Sequence, residues 1–173
     1  MADAPSVTNY TIGKGVVSFK KTGAPSYRDL GNVPTLEFTP TIETLDHFSS
    51  RSGVREKDLT VVLQKAGTLR MVMEEFDAEN MALMLLGTSG VDASGYTYID
   101  IFSESQISGE LQFIGTNDVG RLFQLDLLKV DFIPGSSVSF ISDEWGQLEI
   151  TGQVAAVAGQ FGTLKFLDEQ TSI

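Results

Sequence analysis

The chain has no cysteine, a single histidine, a single tryptophan and only 12 lysines and arginines among 173 residues. Without cysteine there is no disulfide, no thiolate metal site and no cysteine nucleophile. His47 alone makes no multi-histidine metal site. The longest apolar run, MALMLLG at 81–87, falls far short of the ~20 residues that span a bilayer as a helix. No membrane partner is therefore expected. The first residues, MADAPSVTNYTIGKG, hold no basic segment followed by an apolar one, so no signal peptide is expected. Phosphate-cradling and dinucleotide-binding glycine motifs and EF-hand spacing are missing. The GTSG run at 87–90 follows a helical pattern rather than preceding one, the wrong order for an anion site. No cofactor or metal is expected.

What is there reads as a globular chain, 42% apolar and 20% charged. Its length suits a single domain over 1–173, large enough to bury a core without a metal or a staple. The net charge of −11 is unevenly spread. Residues 1–70 carry 9 basic and 7 acidic side chains, and residues 71–173 carry 3 and 16. Two consequences are open. A basic patch on one copy can meet an acidic patch on the next, or an acidic surface can repel nucleic acid.

Period-2 alternation dominates. Residues 1–12 are polar and aperiodic and read as a flexible arm. Residues 15–21 read as a strand with Val17 and Phe19 on one face, and 27–40 as a strand confined to an edge by Pro34 and Pro40. Residues 59–64 and 69–74 read as two strands of a hairpin turning at Lys65–Thr68. Residues 77–86 read as the one helix, N-capped by Asp77, with Gly87 suited to the C′ position. It is apolar almost all round. Residues 88–95 read as a loop, and strands follow at 96–102, 107–115, 120–132, 138–141, 145–158 and 161–167. The strand at 120–132 is apolar on both faces, the pattern of a strand covered on both sides. The expected class is mainly β: a β-sandwich or open barrel of two packed sheets with one flanking helix.

Residues 41–58, TIETLDHFSSRSGVREKD, are too polar for core and too long for a tight turn. They read as a long functional loop. Asp46, His47, Ser49 and Ser50 superficially resemble a catalytic triad, but adjacent residues cannot chain base to nucleophile in that order. The acid pairs Glu74/Glu75 and Asp143/Glu144 read as solvated faces. No enzyme is expected.

The run YRDLGNVPTLEFTPTIETLDHFSSRSGVREKD at 27–58 resembles the N-terminal part of siphophage major tail tube proteins. The words DLGNVP, LDHFSSRSG and R-x-KD occur in that order ahead of a strand pair and a helix. The likeness is sharp over about 28–90 and one of pattern beyond. It implies a structural virion protein forming stacked hexameric rings, assembled in the host cytoplasm into a tail tube. One sheet of each subunit would line the lumen. The 41–58 loop would be the inter-subunit element, through Asp46, His47, Phe48, Ser49, Arg51, Arg55, Lys57 and Asp58. The implied partners are further copies of the chain, the tape measure protein, and tail terminator and tail tip proteins, with DNA passing through the lumen. Glu110, Asp126 and Glu149 are candidate lumen carboxylates. A secretion-system tube subunit of the same architecture, or a small β-barrel ligand carrier or enzyme, is the alternative.

Overall fold

The computed structural model describes residues 7–51, 53–134 and 137–167. Within them lie ten strands and one α-helix: β1 (Gly15–Lys21), β2 (Arg28–Asp29), β3 (Thr35–Phe48), β4 (Lys57–Met73), α1 (Ala78–Met84), β5 (Thr88–Val91), β6 (Thr97–Asp100), β7 (Ile107–Gly115), β8 (Phe123–Pro134), β9 (Leu148–Val154) and β10 (Gly162–Phe166). The protein is mainly antiparallel β, in two sheets with one flanking helix, as expected. The main sheet runs β2-β1-β7-β8-β9-β4-β3, and β5 and β6 form a separate pair.

The long strand β8 organises the centre. One edge pairs with β7. The other edge pairs with β10 over Phe123–Leu127 and with β9 over Val130–Pro134. The chain between β9 and β10 turns through Ala158 and Gly159, both at positive φ, the region a tight hairpin turn requires. Alternate residues of these strands face one way and form the core: Val17 and Phe19, Leu69, Met71 and Met73, Leu111, Leu127, Val130 and Phe132, Leu148, Ile150 and Val154. Leu83 and Met84 of α1 close over them. Phe19 and Phe132 meet edge to face with ring centroids 5.0 Å apart, a favoured aromatic geometry. Glycines make room for them. A Cβ on Gly109 would lie 2.6 Å from the Phe19 ring, and one on Gly152 3.3 Å from that of Phe132.

The helix begins where its capping residue predicts, with the Asp77 carboxylate accepting from Asn80 N–H at 2.7 Å. Its end differs. Leu86, at φ 46°, takes the left-handed C′ position. Gly87 N–H donates to Ala82 C=O at 2.8 Å, closing a Schellman turn one residue earlier than expected. Gly87 is instead needed for close approach, since a Cβ there would lie 2.5 Å from Asp100 O. Asn80 is fully buried. Its amide donates to Leu30 O and Glu75 O, and its carbonyl accepts from Arg28, so one side chain ties α1 to both neighbouring connections.

Several sequence expectations give way. The loop over 41–58 and the 59–64/69–74 hairpin are replaced by one long hairpin of β3 with β4. Lys65–Thr68 lies mid-strand because Gly67 is a site of close approach under the Phe38 ring, 2.5 Å from a would-be Cβ, and not a turn. Residues 88–91 are a strand rather than loop, and 138–141 are not a strand. Residues 1–6 of the expected flexible arm lie outside the described residues. Val7–Asn9 form a short 3-10 turn. Ile12 N–H, Asn117 and Arg121 tie residues 9–12 to the 117–121 turn.

Replacing Asn80 by Leu, which keeps the volume but orphans two carbonyls, is expected to cost about 2–3 kcal/mol in urea unfolding. A loss below about 1 kcal/mol would show that the amide is not the tie.

Candidate inter-subunit interface

The β3–β4 hairpin is supported by the sheet for only half its length. β9 pairs with β4 from Gly67 to Met73. From Ala66 to Lys57, β4 pairs with β3 alone. The hairpin therefore projects by about eight residue pairs, roughly 25–30 Å at ~3.3 Å per residue. Among the described residues neither edge of this arm has a further strand partner. Two bulges, between Glu43 and Thr44 and between His47 and Phe48, twist it and blunt its use as a flat edge.

Cross-strand partners share a face. One face continues the core side and carries Ile42 with Lys65, Thr44 with Val62, Asp46 with Thr60, and Phe48 with Lys57. The other face begins polar, with Glu37 beside Arg70 and Thr39 beside Thr68. It turns apolar outward, with Leu45 beside Val61 and His47 beside Leu59. Ile42, Leu45, Phe48, Leu59, Val61, Val62 and Leu63 are all exposed. A two-stranded ribbon without a third layer is marginal in water, and an exposed apolar patch of this extent marks an interaction surface.

The eight residues expected at an inter-subunit loop do come together, at the outer end of this arm and on strand as well as turn. Asp46, His47 and Phe48 end β3, and Lys57 and Asp58 begin β4. Ser49 N–H donates to Glu56 O at 2.9 Å. His47 Nδ1 lies 2.6 Å from Asp58 Oδ1. Asp46 faces the other way and accepts from Thr60 (2.7 Å) and Lys57 (3.4 Å). The Thr60 hydroxyl, then Lys57, hold the Asp46 carboxyl below the usual range. Asp46 and His47 thus serve different partners. The polarity that makes this segment look like loop is satisfied across the two strands. Arg51 and Arg55, in the turn, have no carboxylate partner among the described residues. Sequence reasoning missed the apolar arm residues; the alternation at 59–63 that reveals them reads as one strand of a short hairpin.

The three candidate lumen carboxylates share the polar outer face of the main sheet, away from the core. None is a free charge. Glu110 accepts from Lys20 (3.1 Å) and from Tyr27 (2.8 Å). Hydrogen bonds from Tyr27 and then Lys20 lower its pKa. Glu149 takes a two-pronged contact from Arg70, both bonds 2.9 Å, which lowers its pKa and raises that of Arg70. At Asp126 burial acts to raise the pKa, but hydrogen bonds from Lys165, Gln112 and Gln124 outweigh it. Among the described residues no three His, Cys, Asp or Glu side chains are grouped to hold a metal ion. No helix there is long and apolar enough to cross a membrane.

Residues 10–97 match the family described as "Protein of unknown function UCP028589", just over half of the chain. The chain belongs to that family. The family match takes in the whole arm and α1. No curated protein matches the sequence. Among solved structures, a chain of "Cryo-EM structure of the anti-feeding prophage (AFP) baseplate, 6-fold symmetrised" is similar in fold. It has a TM-score of 0.50 and 14% identity, covering 96% of this chain and 94% of that one. A chain of "Tail of empty GTA particle computed with helical refinement, C6 symmetry" matches with a TM-score of 0.43 and 17% identity, covering 88% and 94%.

Burial and the Glu110 carboxylate push the Tyr27 phenol up to about 12. A raised phenol pKa stabilises the fold below the unfolded value near 10 and loses that contribution as pH climbs toward 12. Ultraviolet titration against Tyr27→Phe is expected to show this phenol ionising last, and Glu110→Gln to bring it down. An unchanged Tyr27 titration in Glu110→Gln would remove Glu110 as a cause.

Proposed function

We propose that this chain is a structural subunit, not an enzyme, that assembles with copies of itself into stacked six-membered rings of a tail-type tube. The observation that carries this reading is the β3–β4 arm: a ribbon with open edges and apolar residues on both faces, projecting from an otherwise closed core. Burying the exposed remainder of each arm side chain contributes on the order of 1 kcal/mol, which several side chains together turn into association. A fold similar to that of a chain in a six-fold symmetrised baseplate supports ring formation. An arm and its seat are different surfaces, so the contact is heterologous and propagates into a ring or a filament.

In such a tube the polar face holding Glu110, Asp126 and Glu149 lines the lumen, where the tape measure protein sits and DNA passes. Its cations Lys20, Arg70, Lys129 and Lys165 are each held by a carboxylate. Few are left to grip phosphate, so DNA slides rather than binds. The subunit is a single domain located in the tail of a virion, capped by tail terminator and tip proteins.

Negative-stain microscopy of the purified chain is expected to show rings or tubes. A variant with residues 44–62 replaced by Asn-Gly is expected to keep its β circular dichroism and stay monomeric. Tubes from the shortened chain would overturn the arm as the assembly element, and a strict monomer from the intact chain at high concentration would overturn the tube.

A further inference from the structure

The connection between β8 and β9 carries the most exposed large side chains of the main body. Ile141 is 95% exposed, Trp145 93% and Phe140 77%. Trp and Phe are among the least favourable side chains to leave in water, and their clustering in one short connection marks a seat for a partner. The seat is held in place. A Cβ on Gly146 would lie 2.7 Å from the Phe76 ring, so the connection rests directly on the segment between β4 and α1. Trp145 lines a recess with Glu74, Ser142, Asp143, Glu144 and Gln147. Glu74 is occupied by Asn32 and Gln147. Asp143 and Glu144 have no cation partner among the described residues.

The complementary surface is on the same chain but does not meet it. At the end of the arm Arg51 and Arg55 have no carboxylate partner among the described residues, and Val54 beside them is exposed. Nearby, Lys57 pairs with Asp46 and His47 with Asp58, while the Glu56 carboxylate has no cation partner among the described residues. The arm thus presents two uncompensated guanidinium groups with an apolar side chain. The recess presents the Asp143 and Glu144 carboxylates with an indole, and the exposed Phe140 and Ile141 lie just before it in the same connection. A guanidinium matches a carboxylate in two-pronged geometry and stacks on an indole face.

We infer that the Trp145 recess is the seat of the arm's end from a second copy of this chain, with Arg51 and Arg55 on Asp143 and Glu144 and Val54 against the Phe140–Ile141 surface. The inference rests on the self-assembly reading and names the surface that reading leaves open. The basic-leaning first part of the chain then meets the acidic remainder on a neighbour.

Trp145 is the chain's single tryptophan, so its emission reports the seat without any substitution. Assembly of the wild-type chain is expected to shift that emission to the blue and to remove most of its quenching by iodide. Charge reversal supplies the second arm of the test. Arg51→Glu with Arg55→Glu, and separately Asp143→Arg with Glu144→Arg, are each expected to stay folded by circular dichroism and to raise the critical concentration at least about tenfold. Mixing the two variants places every arm on a seat of opposite charge and is expected to restore tubes. Assembly of the wild type with Trp145 still fully quenched overturns the seat and leaves the arm reading intact. So does failure of the mixture while both variants are folded, which points to another protein covering the recess. No assembly of the wild type at all overturns both.

Discussion

The β3–β4 pairing runs from Thr35 opposite Val72 to Phe48 opposite Lys57, through two bulges, and the rest of the molecule can be understood from where that pairing outruns the core. Over β9 the ribbon is one more pair of strands in a sheet, with Leu69, Met71 and Met73 buried. Past Gly67 no described residue pairs with either edge of the ribbon, and its large apolar side chains are exposed. A hairpin needs a third strand or a covering layer to be stable in water. The chain nevertheless places aliphatic and aromatic residues along that unsupported length, and in the proposed assembly a neighbouring copy supplies the stabilising layer.

The main body is built to hold that arm steady. Asn80 joins α1 to both the β2–β3 and β4–α1 connections, and the Arg70–Glu149 and Arg70–Glu37 contacts clamp β3, β4 and β9 together just below the arm's root. The same ion pairs shape the outer face. Partially exposed pairs of this sort contribute little to stability, but they occupy the cations. The outer face is polar, with Lys20, Arg70 and Lys165 paired to its carboxylates.

Much of this was legible in the sequence. β1, β7, β9 and β10 follow their period-2 alternation closely, and Asp77 announces α1. The three carboxylates at 110, 126 and 149 were placed on strands, and one shared face receives them all. The failures have local causes. Residues 41–58 look like a loop because Asp46, His47, Lys57 and Asp58 are polar, and single-strand patterns do not reveal that they satisfy one another across a ribbon. Gly67 looks like a turn because a glycine tolerates one, whereas here it admits the Phe38 ring. Leu86 in a left-handed conformation is a cost of order 1 kcal/mol that no sequence rule anticipates, and packing of Leu86 against the core offsets it. The Trp145 recess was invisible because Asp143 and Glu144 read as ordinary solvated acids until the structure set an exposed indole beside them.

The central claim is that the arm is completed only by a neighbour. Amide hydrogen exchange at its backbone tests this most directly, in dilute monomer and in the assembled state of the same protein. Residues 42–48 and 57–65 are expected to exchange rapidly in the monomer, while 68–73 of β4 stay protected by β9, and to become strongly protected on assembly. Full protection of 42–48 and 57–65 in the dilute monomer, unchanged on assembly, would contradict the account, because the ribbon would then be stable without a partner.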